Sequence, residues 1–261
     1  MRQFLFLVII SALCVTNASH ARAEILKMVF GQLKPYTYQD ESTGEIRGAS
    51  IRYFETIAAK MGYKVEWIGP LPPVRFTQYL KNNSDGALGT VIFPKYETTK
   101  TFLYFAEKPC YYSQPILVVR RKSKLTEIRT INDITGYKIG FLEINEPYTP
   151  FLEKHRDKLE FDTVASVEWP RINLQKLISS RLDAIFDRNA HTLLFEAKRL
   201  HLENNIKILP IPDPATPMYV AFGKAAPNSE RLIRQFDKIV RVENISFDYF
   251  LKKELDSVTE K

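Results

Sequence analysis

Apolar residues along this chain keep two rhythms in turn, short continuous runs and stripes spaced three to four residues apart. Residues 25–30 (ILKMVF) form a short apolar run without helical period, which predicts a strand. After Gly48, the residues Ile51, Phe54, Ile57, Ala58 and Met61 make one amphipathic helical stripe. Gly62 is expected to end that helix, because glycine tolerates the positive φ of a helix C-terminus. Residues 64–68 resume an alternating strand. The loop between the first strand and the helix carries Tyr36 and Tyr38. It lies at the strand's carboxyl end, where open α/β sheets place ligand sites.

The alternation continues to the end of the chain. Strands are expected over 85–92, 115–120, 138–142, 161–166, 182–187, 206–209 and 218–222. Helices are expected over 74–82, from near Pro147, along Ile172, Leu174, Leu177 and Ile178, and along Leu193, Leu194, Ala197 and Leu200. Another follows Leu232, Ile233, Phe236, Ile239 and Val240, with Asn228 as its N-cap, and a last one covers 247–255. Strands alternating with helices predict an α/β architecture. Residues 111–122 and 208–217 read as two crossings between lobes. Lobe one would then be 24–112 plus 217–261, and lobe two 113–216.

The N-terminus changes the picture of where this happens. Arg2, an apolar core over 4–15 and the small-x-small triplet Ala21-Arg22-Ala23 read as a cleaved export signal over 1–23. Leu13 before Cys14 argues against lipidation. The exported chain is expected to begin at Glu24 and to lie free in the periplasm. Loss of Arg2 and Arg22 lowers the formal net charge from +7 to +5. Cys14 leaves with the signal, so Cys110 has no internal partner and reads as a buried, inert thiol. Lysines and arginines are spread among acids with no basic run interleaved with aromatics, which argues against nucleic-acid binding.

Several segments along the chain form a set that matters for its order as much as for its members. They are Lys34-Pro35-Tyr36, the acidic-glycine turn from Asp40 to Gly44, and Gly48 before a helix ending in Lys60-Met61-Gly62-Tyr63. Further on come Phe105-Ala106-Glu107-Lys108-Pro109-Cys110-Tyr111-Tyr112, Ile131 to Tyr137 with Gly136, Arg181 to Asp187, and the return strand MYVAFGK. In this order they resemble the bacterial extracellular solute-binding proteins of family 3, the amino-acid-binding type, over nearly the whole exported chain. The resemblance implies a two-lobed periplasmic-binding-protein fold of type II, each lobe a mostly parallel sheet flanked by helices, joined by two hinge crossings. It also implies capture of a small polar solute, an amino acid, amine or related compound, for a membrane transporter permease. No cofactor or metal is implied, and the protein is expected to be a monomer.

In that family an acid at the end of the Asp-Ala block holds the ligand ammonium, and Asp187 stands there; capping of the helix after Asn189 is the other role open to it. The usual carboxylate-binding arginine is missing. Thr99 or Glu97 falls at its place, and Lys95 and Lys100 are the nearest cations, without arginine's bidentate fork. The family's Gly-Ser/Thr-Thr before the first helix of lobe two is replaced by residues 143–149 (EINEPYT). There Asn145 and Glu146 either serve the helix end or face the cleft. Glu146 with Asp187 and the tyrosines would favour a cation or a neutral polar ligand. Gly89 and Thr90, near the end of the 85–92 strand, offer backbone groups and a hydroxyl. Trp169 and Arg171 are expected near the cleft rim.

Two other classes remain beside solute capture. One is a periplasmic enzyme on the same fold, a dehydratase of a prephenate-like acid using Glu143, Glu146 or Asp187. The other is a ligand-sensing partner of a membrane receptor. Other catalysis has no motif: there is no G-x-S-x-G, H-E-x-x-H or Walker loop, and His155, His191 and His201 are scattered.

Overall fold

The first apolar run forms β1 (Ile25–Val29), and β4 (Lys64–Ile68) lies parallel beside it, with Ile25 opposite Lys64 and Val29 opposite Ile68. The structure is a computed structural model that describes residues 24–143 and 149–258. The expected signal over 1–23 lies outside the described residues. Between these strands runs α1 (Ala49–Lys60), with Ile51, Phe54, Ile57 and Ala58 buried as their spacing requires. Its end is a Schellman turn. Gly62 takes φ 87°, its N–H bonds to Ala59 O, and the Tyr63 N–H bonds to Ala58 O.

The start of α1 is capped from a distance. No side chain serves; instead Ala49 N and Ser50 N donate to the carbonyls of Pro35 and Tyr36. That approach is possible because Gly48 lacks a Cβ, which would sit 2.2 Å from Tyr36 O, and because φ is 125° there. The acidic-glycine turn closes a hairpin of β2 (Tyr38–Gln39) and β3 (Ile46–Arg47). Asp40 Oδ1 accepts from Ser42 N and Thr43 N, at 2.9 and 3.1 Å.

The first sheet runs β4-β1-β5-β13-β6, with β5 (Gly89–Pro94), β13 (Thr216–Gly223) and β6 (Leu103–Phe105). The short β7 (Tyr111–Ser113) also pairs with β13, which is antiparallel to β5, β6 and β7. The second sheet runs β10-β9-β11-β8-β12: β10 (Glu160–Val164), β9 (Lys138–Leu142), β11 (Ala184–Asp187), β8 (Ile116–Arg120) and β12 (Ile206–Pro210). Here β9, β10 and β11 are parallel, and β8 is antiparallel to both its neighbours. The chain passes from the first sheet to the second between β7 and β8, and returns between β12 and β13.

Both faces of each sheet are buried, and strand alternation divides the core. On β8, Leu117 and Val119 pack into one cluster and Ile116 and Val118 into the other. In the first sheet, Val29 and Ala221 face the side of Leu80 on α2 (Pro73–Asn82). Met28 and Phe222 face α1, α7 (Ser229–Glu243) and α8 (Phe247–Asp256). Three local differences from the sequence reading have local causes. Residues 84–86 are a 3₁₀ turn with Asn83 and Asp85 at positive φ, so the strand expected over 85–92 begins at Gly89. Asn228 does occupy the N-cap of α7, but at φ 58° and without a side-chain bond, serving through its tolerance of left-handed backbone. The helix expected from Pro147 is α4 (Pro150–Lys154), with Thr149 at its N-cap. Among the described residues no helix is long and apolar enough to cross a membrane, and no three His, Cys, Asp or Glu side chains group as for a metal.

Gly48→Ala should therefore cost roughly 3 kcal/mol, the sum of backbone strain and a forced shift of the Tyr36 carbonyl. Gly44→Ala should cost about 1 kcal/mol, because φ is 71° there but a Cβ would meet nothing within 4 Å. Urea unfolding of the two variants measures the difference.

Candidate functional site

Where the carboxyl ends of β1, β4 and β5 face those of β9 and β10, a cleft of about 890 Å³ opens. The first-sheet wall carries Phe30, Leu33, Leu71, Phe76 and Phe93, with Thr37 and Thr90 as its hydroxyls. Leu142, Glu143, Ser166, Val167 and Trp169 make the second-sheet wall. Trp169 opens α5 (Trp169–Ile178) and is itself only 8% exposed. Three exposed apolar side chains lie at or beside this opening: Leu33 at 41%, Val74 at 72% and Val167 at 76%. Val74 follows the cleft-lining Pro72 and Pro73 at the start of α2.

The floor of the first-sheet wall is bent by a bulge. Thr90 pairs with Ala221 and Phe93 with Tyr219, so Val91 and Ile92 together oppose Val220. Ile92 takes φ 60°, a conformation that costs a β-branched residue about 1–3 kcal/mol. Nothing in the sequence signals it, since a glycine or asparagine would be the usual mark.

The groups that would hold a carboxylate are turned to other partners. Lys95 Nζ stands over the rings of Tyr219 and Phe105, at 5.4 and 5.7 Å. Lys100 pairs with Glu97 at 2.5 Å, on the exposed side of α3 (Glu97–Lys100). Neither lysine lines the cleft. At the start of α4 the amide donors are already bonded. Phe151 N donates to the carboxylate of Asp213 at 3.1 and 3.2 Å, and Leu152 N donates to Thr149 Oγ1 at 3.5 Å. Asn145 and Glu146 lie outside the described residues. Among the described lining residues Glu143 is the one ionisable side chain.

Tyr36 and Asp187 are brought together, but outside the cleft lining. Tyr36 is fully buried, its ring stacked on Tyr111 at 5.3 Å and Phe247 at 6.3 Å. Its hydroxyl donates to Asn189 Oδ1 at 3.0 Å and lies 2.7 Å from Nδ1 of His191, at the start of α6 (His191–Arg199). Burial lowers the His191 pKa and keeps the ring neutral. Asp187 ends β11 beside this stack. Its Oδ1 accepts from Arg188 N at 2.7 Å, while Oδ2 is buried without a hydrogen-bond partner. Burial pushes its carboxyl up to about 7, against the backbone amides of Arg188 and Asn189, which pull it down.

The remaining expected residues have structural neighbours. Tyr38 donates to the buried Glu254 Oε1 at 2.7 Å, and its ring meets Phe195 at 6.0 Å. Gly89 sits under β13, where a Cβ would come 2.3 Å from Ala221 O. Arg171 lies by a smaller hollow that shares Gln32, Leu33, Val167 and Trp169 with the cleft. Burial pushes the Cys110 thiol up to about 12, so it stays protonated at neutral pH. Sequence reasoning missed the apolar walls. The available signal was the run Leu71-Pro72-Pro73 after β4, an apolar loop at a strand's carboxyl end.

Two α/β lobes around a cleft at the strands' carboxyl ends, joined by two crossings, define a ligand-binding protein of the type II periplasmic-binding fold. The chain belongs to the bacterial extracellular solute-binding proteins, family 3, whose sequence profile matches residues 26–255. Among similar solved structures is an ancestral cationic amino acid solute-binding protein, with TM-score 0.70 and 16% identity over 88% of this chain and 95% of that one. An amino acid ABC transporter substrate-binding protein from Streptococcus pneumoniae, bound to L-arginine, superposes with TM-score 0.66 at 17% identity, covering 92% and 97% of the two chains. A double mutant of the VFT2 domain of Bordetella pertussis BvgS gives TM-score 0.64 at 16% identity, over 89% and 92%. No curated protein matches the sequence.

The state of Asp187 is open to test. Its folded pKa of about 7 lies above the ordinary 3.8. Between those values the folded chain keeps a proton that the unfolded chain has lost, so stability falls as pH rises through that window. Asp187→Asn should raise the thermal midpoint at pH 8 by roughly 5 °C and change it much less at pH 4. Equal shifts at both pH values would show that the carboxyl is not a buried charge.

Proposed function

We propose that this protein captures a small organic solute between its lobes and passes it to a membrane transporter permease. The solute is an amino acid, an amine or a related compound. The moving bodies are residues 24–112 with 217–261, and residues 113–216, hinged at the two chain crossings. On this reading the chain is exported through removal of residues 1–23, works as a periplasmic monomer, needs no cofactor and catalyses no reaction.

One observation carries the reading: apolar side chains stand exposed at a cleft formed by both lobes. Leu33 and Val167 are 41% and 76% exposed on facing walls, a cost that closure over a ligand would remove. An enzyme acting on an acid would need anion-holding groups there, and the described lining offers no cation. Thr90, in the cleft wall, remains the proposed hydroxyl contact, and the contacts expected of Asp187 and Tyr36 would have to be made through their buried cluster.

A thermal-shift screen of residues 24–261 against amino acids, polyamines, quaternary amines, short peptides and organic acids tests this. A ligand at a hundred times its dissociation constant adds about 2.7 kcal/mol, which should raise the midpoint by roughly 5–10 °C. Val167→Asp should abolish the shift of any hit while leaving the unliganded midpoint within about 2 °C, as expected for an exposed site. A panel without hits, or a hit untouched by Val167→Asp, would overturn capture in this cleft.

A further inference from the structure

We infer that the cleft selects an organic amine with an apolar or aromatic body and rejects its carboxylated counterpart, the amino acid. The inference rests on the solute-capture reading and narrows it to a ligand class.

A zwitterionic amino acid brings a carboxylate that must leave water on closure. An ionised carboxylate buried without hydrogen bonds or a counter-charge is strongly disfavoured. Two kinds of group would compensate it best, and among the described residues the first is absent and the second engaged. First, no lysine, arginine or histidine lines the cleft, and residues 144–148, next in sequence to Glu143, contain none either. Second, the amides of α4 that could bind an anion are bonded to Asp213 and Thr149. The helices α2 and α5, which open beside the cleft, each lose one of their first N–H donors to a proline, Pro73 and Pro170. The neighbouring small hollow does hold Lys34 and Arg171, but with Glu41, Glu168 and Glu196. Lys34 is itself paired with Glu41 at 3.4 Å. Glu196 is paired with Arg199 at 2.9 Å, so the acids and cations around this hollow balance and it presents no net positive charge.

The same cleft suits a cation attached to an apolar body. Glu143 supplies one exposed carboxylate on the second-sheet wall, which the largely buried Trp169 also lines. Phe76 and Phe93 opposite give the body an apolar surface, and the buried Thr90, whose hydroxyl donates to Val91 O at 3.3 Å, adds no charge to that wall. Charge complementarity and apolar area thus agree on one ligand type.

Calorimetric titration of the exported protein with matched probes decides it. The pairs are 2-phenylethylamine against phenylalanine, tryptamine against tryptophan, and agmatine against arginine, with 2-phenylethanol as the uncharged control. In at least one pair the amine should bind ten or more times tighter than its amino acid. Glu143→Gln should weaken that amine about tenfold, to near the alcohol's affinity, with an unchanged melting midpoint because Glu143 is exposed. An amino acid that binds as tightly as its amine, or tighter, would overturn the inference and leave solute capture standing. So would a Glu143→Gln protein with undiminished amine preference. Failure of every probe, in a protein that also shows no hit in the broader screen, would remove both readings together. Failure of these probes alongside an organic-acid hit would overturn only the amine class.

Discussion

A buried tyrosine hydroxyl must find polar partners, and Tyr36 finds them in the other lobe. Its ring is held between Tyr111, from the last strand before the first crossing, and Phe247, the first residue of the last helix. Its hydroxyl meets Asn189 and His191, 153 and 155 residues away. A phenol in such an apolar stack without partners would carry a penalty of about 1–3 kcal/mol. One side chain therefore ties the loop after β1, the crossing, the terminal helix and the second lobe to one another. The backbone joins in, because Gly48 lets the first amides of α1 bond to the carbonyls of Pro35 and Tyr36. With Tyr36 fixed, Gln32 and Leu33, a few residues earlier, are held at the cleft wall.

The chemistry of the cleft is decided by what its surroundings have already used. Asp213, in the segment that returns the chain towards the first lobe, occupies an amide at the start of α4. That contact satisfies the Phe151 N–H with the protein's own carboxylate and leaves it no donor to offer another anion. The lysines near β5 are drawn onto aromatic faces or into local ion pairs. Meanwhile the bulge at Val91 and Ile92 puts both residues into the first-sheet wall. Bulges recur beside binding sites because they re-aim side chains. A β-branched residue kept at φ 60° fits a backbone shaped by its site more than by its own preference.

Much of the fold could be read from apolar spacing. The stripe Ile51, Phe54, Ile57, Ala58 and Met61 became the buried face of α1, and Gly62 its left-handed end. The continuous apolar run in 115–120 became β8, buried on both faces. Elements of two or three residues, such as β2, β3 and β7, are too short to leave a period. The site was less legible. Placing Asp187 at a strand's carboxyl end does not say which way it turns, and along a strand successive side chains take opposite faces. Here it turns to the Tyr36 cluster. Glu143 and Trp169, at the ends of neighbouring elements, line the cleft instead.

By itself the sequence determined the order of strands and helices, the family resemblance, and the absence of the usual arginine. Each of these is a local property, carried by residues a few positions apart or by the identity of a single one. Only the tertiary structure decided which aromatics are buried and which face the cleft, that Asp213 occupies an amide of α4, and that Lys95 lies on rings. Those outcomes depend on groups brought together from distant parts of the chain. Phe151 and Asp213 are 62 residues apart, and their contact leaves no trace in the spacing of either segment.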